Sequence, residues 1–243
     1  MNRYSRTAAV AGALVAGALV CPATPVAARD DGGLWGAAII APGREGIVEV
    51  VGVGEVFEGA VLTLTAPLGA RVTGTPLDAS GYRGSVAAGG RSATYTVTGA
   101  AAGRDRVFPF VLAVPADAVP GTRLRDCSLR FTDARGVPRA VGRCAVTVGL
   151  AGPVLRRPLS GVPLSARPKI SGTAHPGAEV TVRDKDDREA CRTTAAPDGT
   201  WACTPGAAFP AGANRLQAVA ALNGVSAISE QVDIVVAPAG EDQ

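Results

Sequence analysis

KISGTAHPGAEVTVRDKDDREACRTTAAPDGTWACT, residues 169–204, decides how this chain folds. Lys169–Ala174 and Ala178–Arg183 are short runs set apart by the turn residues His175-Pro176-Gly177. Val180 and Val182 recur at every second position, the period of a strand with one face buried. Asp184–Asp187 is a charged turn. Glu189–Thr194 and Thr200–Thr204 are then expected to pair across Pro197-Asp198-Gly199.

Reading outward from this stretch, Arg215–Leu222 runs into Asn223-Gly224, a two-residue hairpin signal, and Val225–Val236 closes the set. Seven short strands with a turn every ~8–12 residues predict a sandwich of the immunoglobulin type. Towards the N-terminus the same alternation recurs in Ala37–Ala41, Ile47–Val53, Val61–Ala66, Tyr95–Thr98, Val107–Val114, Thr122–Thr132 and Ala140–Gly149. In one of these, Leu62 and Leu64 share a face and Thr63 and Thr65 share the other. No segment past the first 28 residues has a helical period. Leu150–Ala166 holds three prolines and no period, so it reads as a linker. The fold class expected is all-β, with two Ig-like β-sandwiches in tandem at residues 30–150 and 166–237, a linker at 151–165 and a polar tail at 238–243.

The motifs Ser171-Gly-Thr-Ala, Pro176-Gly-Ala-Glu-Val-Thr-Val, Asp198-Gly-Thr-Trp201 and Gly212-Ala-Asn-Arg-Leu-Gln-Ala-Val-Ala resemble the bacterial Ig-like repeats of secreted and surface proteins. The resemblance covers residues 169–236. It implies the sandwich fold and a role as spacer, stalk or adhesion module. Two features differ from the repeat pattern. The usual Gly-Asn before the last strand is here Asn223-Gly224, and Cys191 and Cys203 flank the Asp-Gly-Thr-Trp turn.

Residues 1–28 read as an export signal. Arg3 and Arg6 precede the uncharged apolar run Thr7–Val20, and Val26-Ala27-Ala28 provides small residues for cleavage after Ala28. The run is shorter than the ~20 residues a spanning helix needs, so no stable membrane span is expected in the mature chain. A second reading is a lipoprotein anchored at Cys21, although Val20 and Pro22 differ from the usual attachment pattern. Cleavage after Ala28 removes Cys21. It leaves Cys127 with Cys144 and Cys191 with Cys203, two close pairs expected to form disulfides outside the cell. Each would contribute about 3 kcal/mol in the chain-entropy model. With aromatic residues at 4%, the cores are expected to be built from Val, Leu, Ile and Ala.

Arginine outnumbers lysine 22 to 2. Residues 123–169 carry nine Arg and one Lys against Asp126 and Asp133, a balance of +8, whereas the flanking segments are acidic. Candidate anion contacts are Arg123, Arg125, Arg130, Arg135, Arg139 and Arg143, with Arg156 and Arg157 in the linker. Arginine binds planar anions with a two-pronged fork, although a GC-rich genome also enriches it. With only Phe131 as an aromatic platform in this segment, nucleic acid is not an expected partner.

Catalytic chemistry finds little purchase. His175 is the only histidine and sits in a turn, which leaves no base for a hydrolase triad and no ordinary zinc site. Lys169 and Lys185 lie in no Ser-x-x-Lys motif. Gly52-Val-Gly-Glu-Val-Phe57 matches a phosphate loop over three positions only and reads as a strand bend. Asp184–Asp187 offers oxygen ligands to calcium, but Lys185 opposes a cation. Glu49, Glu55, Glu58 and Asp78 are carboxylates that nothing in the sequence brings together. Trp201, in phase with Cys203, is expected in the core, and Trp35 is unassigned. The expectation is a secreted non-enzymatic protein without a cofactor, acting as spacer, adhesion or interaction module at the cell envelope. The alternative is a module that binds wall glycan or anionic polymer through residues 123–157. The partner is then an unnamed protein or a cell-wall polymer.

Overall fold

From Leu34 onward, alternation of apolar and polar residues lays down one strand after another. The computed structural model describes residues 33–77, 80–99 and 106–238. The export segment with Cys21 and Ala28, Asp78, and tail residues 239–243 lie outside them.

The first sandwich contains β1 (Leu34–Ile40), β2 (Glu45–Val51), β3 (Val61–Thr65), β4 (Arg71–Gly74), β5 (Tyr82–Val86), β6 (Ser92–Val97), β7 (Phe108–Ala113), β8 (Arg123–Leu124), β9 (Ser128–Thr132) and β10 (Pro138–Val148). Their order is β4-β7-β2-β1-β10-β9-β3-β6-β5, with β8 also pairing β10. β1 joins the two layers. It runs antiparallel to β2 and parallel to β10, from Leu34 opposite Gly142 to Ile40 opposite Val148. Gly142 has no room for a side chain, because a Cβ there would strike the Leu34 carbonyl.

Both layers bury their inward residues in one core. Its centre is aromatic rather than purely aliphatic as expected. Tyr95 lies 5.0 Å from Phe110 and 5.6 Å from Phe108, ring centre to ring centre. The buried Tyr95 hydroxyl is satisfied: it donates to the Pro109 carbonyl at 2.7 Å and accepts from the Leu77 N–H at 3.0 Å. The few aromatic residues are thus concentrated where one ring fills the space of several alanines.

β4 and β5 have no counterpart in the sequence reading. Both are edge strands with a single partner, and RVTG and YRGSV lack a clean alternation. Thr122–Thr132 is two strands rather than one. Asp126 breaks it with φ of 65°, a left-handed conformation that aspartate tolerates better than most residues.

The second sandwich contains β11 (Val154–Arg157), β12 (Pro163–Leu164), β13 (Ile170–Thr173), β14 (Glu179–Arg183), β15 (Glu189–Thr194), β16 (Thr200–Cys203), β17 (Gly212–Leu222), β18 (Val225–Ile228) and β19 (Val232–Val236). One sheet is β11-β13-β16. The other is β12-β19-β17-β14-β15, with β18 also on β17. The proline-containing stretch 150–166 therefore supplies two short strands, paired to β13 and β19. Val225–Val236 is interrupted at Ser229. Its buried hydroxyl accepts the Ala218 N–H at 2.9 Å and donates to the Glu230 carbonyl, while β17 passes from β18 to β19.

One expected pairing is corrected. β15 and β16 do not form a hairpin: β15 pairs with β14, and β16 pairs with β13 in the opposite sheet. The Pro197-Asp198-Gly199 turn does form, with Gly199 N–H bonded to the Ala196 carbonyl at 2.8 Å. Beyond it the chain arches from one sheet to the other. The arch sets buried Cys191 and Trp201 on opposite sheets of the same core.

Candidate functional site

The two disulfides do different work. Cys191–Cys203 ties β15 to β16 and so clamps the two sheets together. Cys127–Cys144 joins neighbouring segments of one sheet at the edge of the first core, with Cα atoms 5.2 Å apart. Trp201 is buried in the second core, as its phase with Cys203 predicts.

Around the first bridge, strand alternation separates two faces. Leu129, Phe131, Cys144, Val146 and Val148 point inward and are buried. Ser128, Arg130, Val141 and Arg143 point outward and are exposed. The cross-strand register then arranges the outward side chains in rows. Ser85, Thr94, Thr63, Arg130 and Val141 form one row from β5 to β10. Ser92, Thr65, Ser128, Arg143 and Trp35 form the next, from β6 to β1. Arg123 on β8 lies opposite Thr147 on the same outer side. None of these row positions is acidic.

Of the eight candidate arginines, the structure thus brings Arg123, Arg130 and Arg143 to one face. At about 3.3 Å per residue, Arg130 and Arg143 are offset by ~7 Å along β10, and Arg143 and Arg123 by ~13 Å. Among the described residues, none of the three side chains makes an ion pair or hydrogen bond.

The other five lie elsewhere. The β9–β10 ladder skips at Arg139, and this bulge turns its guanidinium onto Asp133 at 2.6 Å. The Val137 N–H first, then the Arg139 guanidinium and the Arg135 N–H, hold the Asp133 carboxyl below the ordinary carboxylate range, against partial desolvation. Arg135 is at the tip of that turn. Arg125 lies in the break between β8 and β9, where its carbonyl accepts the Leu68 N–H. Arg156 and Arg157 belong to β11 of the second sandwich, and Arg157 lines an open groove of about 460 Å³ with Pro158, Leu159 and Lys169.

The remaining candidates resolve into local structure. The His175 carbonyl accepts the Ala178 N–H, which closes a turn. Asp184 accepts the Asp186 and Arg188 N–H groups, and Asp186 pairs with Arg188. These carboxylates are engaged in shaping the β14–β15 turn, and no group of acidic, histidine or cysteine residues suited to a metal occurs among the described residues. Gly52 and Gly54 adopt positive φ in the loop that follows β2, and no helix follows. Glu49 lies on β2 and Glu55 and Glu58 in that loop; none lines the Arg157 groove or a second groove formed by Gly69, Arg71, Ala113 and Pro115. Among the described residues no helix is long and apolar enough to cross a membrane.

No protein-family model matches the chain, and no curated protein matches it. Solved structures do. A domain of a biofilm-associated protein is 17% identical at a TM-score of 0.31, covering 85% of this chain and 30% of its own. The chain therefore spans under a third of that structure. The C-terminal domain of the Streptococcus agalactiae AgI/II polypeptide BspA is 9% identical at a TM-score of 0.32, with 82% and 95% covered. Domains A168–A170 of titin are 13% identical at 0.32, with 85% and 64% covered. At these scores the fold assignment rests on the strand pairing itself: the chain is all-β, built of Ig-like sandwiches.

Proposed function

We propose that this protein is a non-enzymatic module exported to the bacterial envelope, where it acts through its surfaces as a spacer or adhesion unit. The observation that carries the proposal is that each sandwich carries its own disulfide, packed against its core. Such bridges persist in oxidising compartments. The charged start, apolar run and small residues of segment 1–28 support the same destination, with cleavage after Ala28 and lipid attachment at Cys21 as the competing anchor. On this reading the two sandwiches are the working modules, the second including the stretch 151–165 that was read as a linker, and the partner is a protein or a wall polymer.

The test is sedimentation of purified residues 29–243 with isolated Gram-positive cell walls. The expected result is a substantial fraction in the pellet, and a protein with no titratable thiol. Complete retention in the supernatant would rule out wall adhesion and leave the spacer role, and four reactive thiols in natively secreted material would contradict the proposal.

A further inference from the structure

We propose that the outer face of β3, β6, β9 and β10 is a binding surface for a polyol-phosphate polymer, with Arg130 and Arg143 as the phosphate contacts. The inference rests on the reading that the chain works through its surfaces at the envelope.

Charge is the first argument. Arg130 and Arg143 are exposed, lie diagonally across one strand pair, and have no partner of their own among the described residues. Arg139, two strand positions from Val141, is removed from the face by its bulge and neutralised by Asp133. Arg130 and Arg143 thus stand in two adjacent rows that hold no carboxylate, with Arg83 in the next row and Arg123 farther along β10 on the same face. A guanidinium grips a phosphate by two parallel N–H···O bonds.

Hydroxyl groups are the second argument. The same two rows continue through Thr63, Thr94, Thr65 and Ser92. These four hydroxyls make no hydrogen bond among the described residues. Each can both donate and accept, which matches the hydroxyls of a polyol repeat. β-Branched threonine also has restricted rotamers, so the hydroxyls are presented with little entropy left to lose. These side chains are half-buried, and none of them lines the Arg157 groove or the groove at Gly69 and Pro115. A face without walls suits a thin chain better than a sugar ring that must be enclosed. Trp35 ends the second row beside Arg143 and supplies an apolar border.

The test measures binding of residues 29–243 to poly(glycerol phosphate), neutral dextran and single-stranded DNA at 50 and 200 mM salt. Expected are binding to the first, weakening several-fold with salt, and none to dextran. Arg130→Ala with Arg143→Ala should weaken binding at least tenfold with an unchanged thermal midpoint. Thr63→Val with Thr94→Val should weaken it a few-fold, and Arg135→Ala with Arg156→Ala should leave it unaltered. Absence of binding, equal binding by the Arg130/Arg143 variant, or equal binding to dextran or DNA would overturn the proposal. Whole walls separate the two readings: if the Arg130/Arg143 variant sediments like the parent, this inference fails and the envelope role stands.

Discussion

Asp133 and Asp198 each hold a turn by accepting backbone N–H groups. Asp133 takes those of Arg135 and Val137, and Asp198 takes the N–H and hydroxyl of Thr200. For Asp198 the hydroxyl bond is the larger influence and the N–H the next, and together they hold the carboxyl below its ordinary range. A carboxyl that is more acidic in the folded state stabilises the fold above its unfolded pKa. That contribution is lost as pH falls through the folded value. The thermal midpoint of the parent should therefore drop below about pH 4, the ordinary carboxylate range. Asp133→Asn with Asp198→Asn should show a shallower drop between pH 7 and pH 2. Parallel curves for the two proteins would remove these turns from the acid response.

Gly142 and Gly172 stand where neighbouring strands approach most closely. A Cβ on Gly142 would strike the Leu34 carbonyl, and one on Gly172 would strike the Val154 carbonyl and crowd Trp201. Each Gly→Ala change forces neighbouring strands apart and should cost about 1–3 kcal/mol, the usual penalty of overpacking. Urea unfolding measures this, and a loss below ~0.5 kcal/mol at both sites would contradict the tight β1–β10 and β11–β13 crossings.

At the scale of elements, the two bridges close loops of similar size, with sequence separations of 17 and 12. Chain entropy alone then assigns each about 3 kcal/mol. Position distinguishes them. Cys191→Ala with Cys203→Ala releases one sheet from the other, whereas Cys127→Ala with Cys144→Ala leaves the β9–β10 ladder in place. The first pair should lower the denaturation midpoint of its sandwich more than the second pair lowers that of its own; the reverse order would refute the clamp.

Elements also show what was legible before folding. Strands with clean alternation, such as Val61–Thr65 and Glu179–Arg183, lie within a residue or two of where the sequence pattern puts them, because period-two burial is written directly in their side chains. Edge strands β4 and β5 leave no such pattern, since an edge needs only one partner and tolerates glycine and arginine. The β15–β16 arch reads as a hairpin in the sequence, because a Pro-Asp-Gly turn looks the same locally in either case. The site divides in the same way. The outward phase of Thr63 and Thr65 could be read from VLTLT. That Thr63 lies beside Arg130, or Trp35 beside Arg143, is a matter of register between distant segments. The bulge that withdraws Arg139 left no local mark either.

For the whole molecule, the Asn223-Gly224 turn does more than reverse β17 into β18. Asn223 Nδ2 donates to the Pro120 carbonyl of the first sandwich at 3.0 Å. Gly121, at φ of 84°, packs so closely that a Cβ would meet the Asn223 carbonyl. The hairpin tip of one sandwich thus seats on a turn of the other. Asn223→Gly keeps a residue able to adopt positive φ and removes only the amide contact. Nitrogen-15 relaxation should then report shorter correlation times for both sandwiches than in the parent, with chemical shifts in the two cores preserved. Unchanged correlation times would show that this contact does not hold the sandwiches together.

The most direct test of the account is an amide chemical-shift titration of residues 29–243 with poly(glycerol phosphate). The account predicts that the shifts concentrate on β3, β6, β9 and β10, centred on Arg130 and Arg143, and leave the β11–β12 groove and the second sandwich still. Shifts centred on Arg156, Arg157 and that groove, or no shifts at saturating polymer, would contradict it.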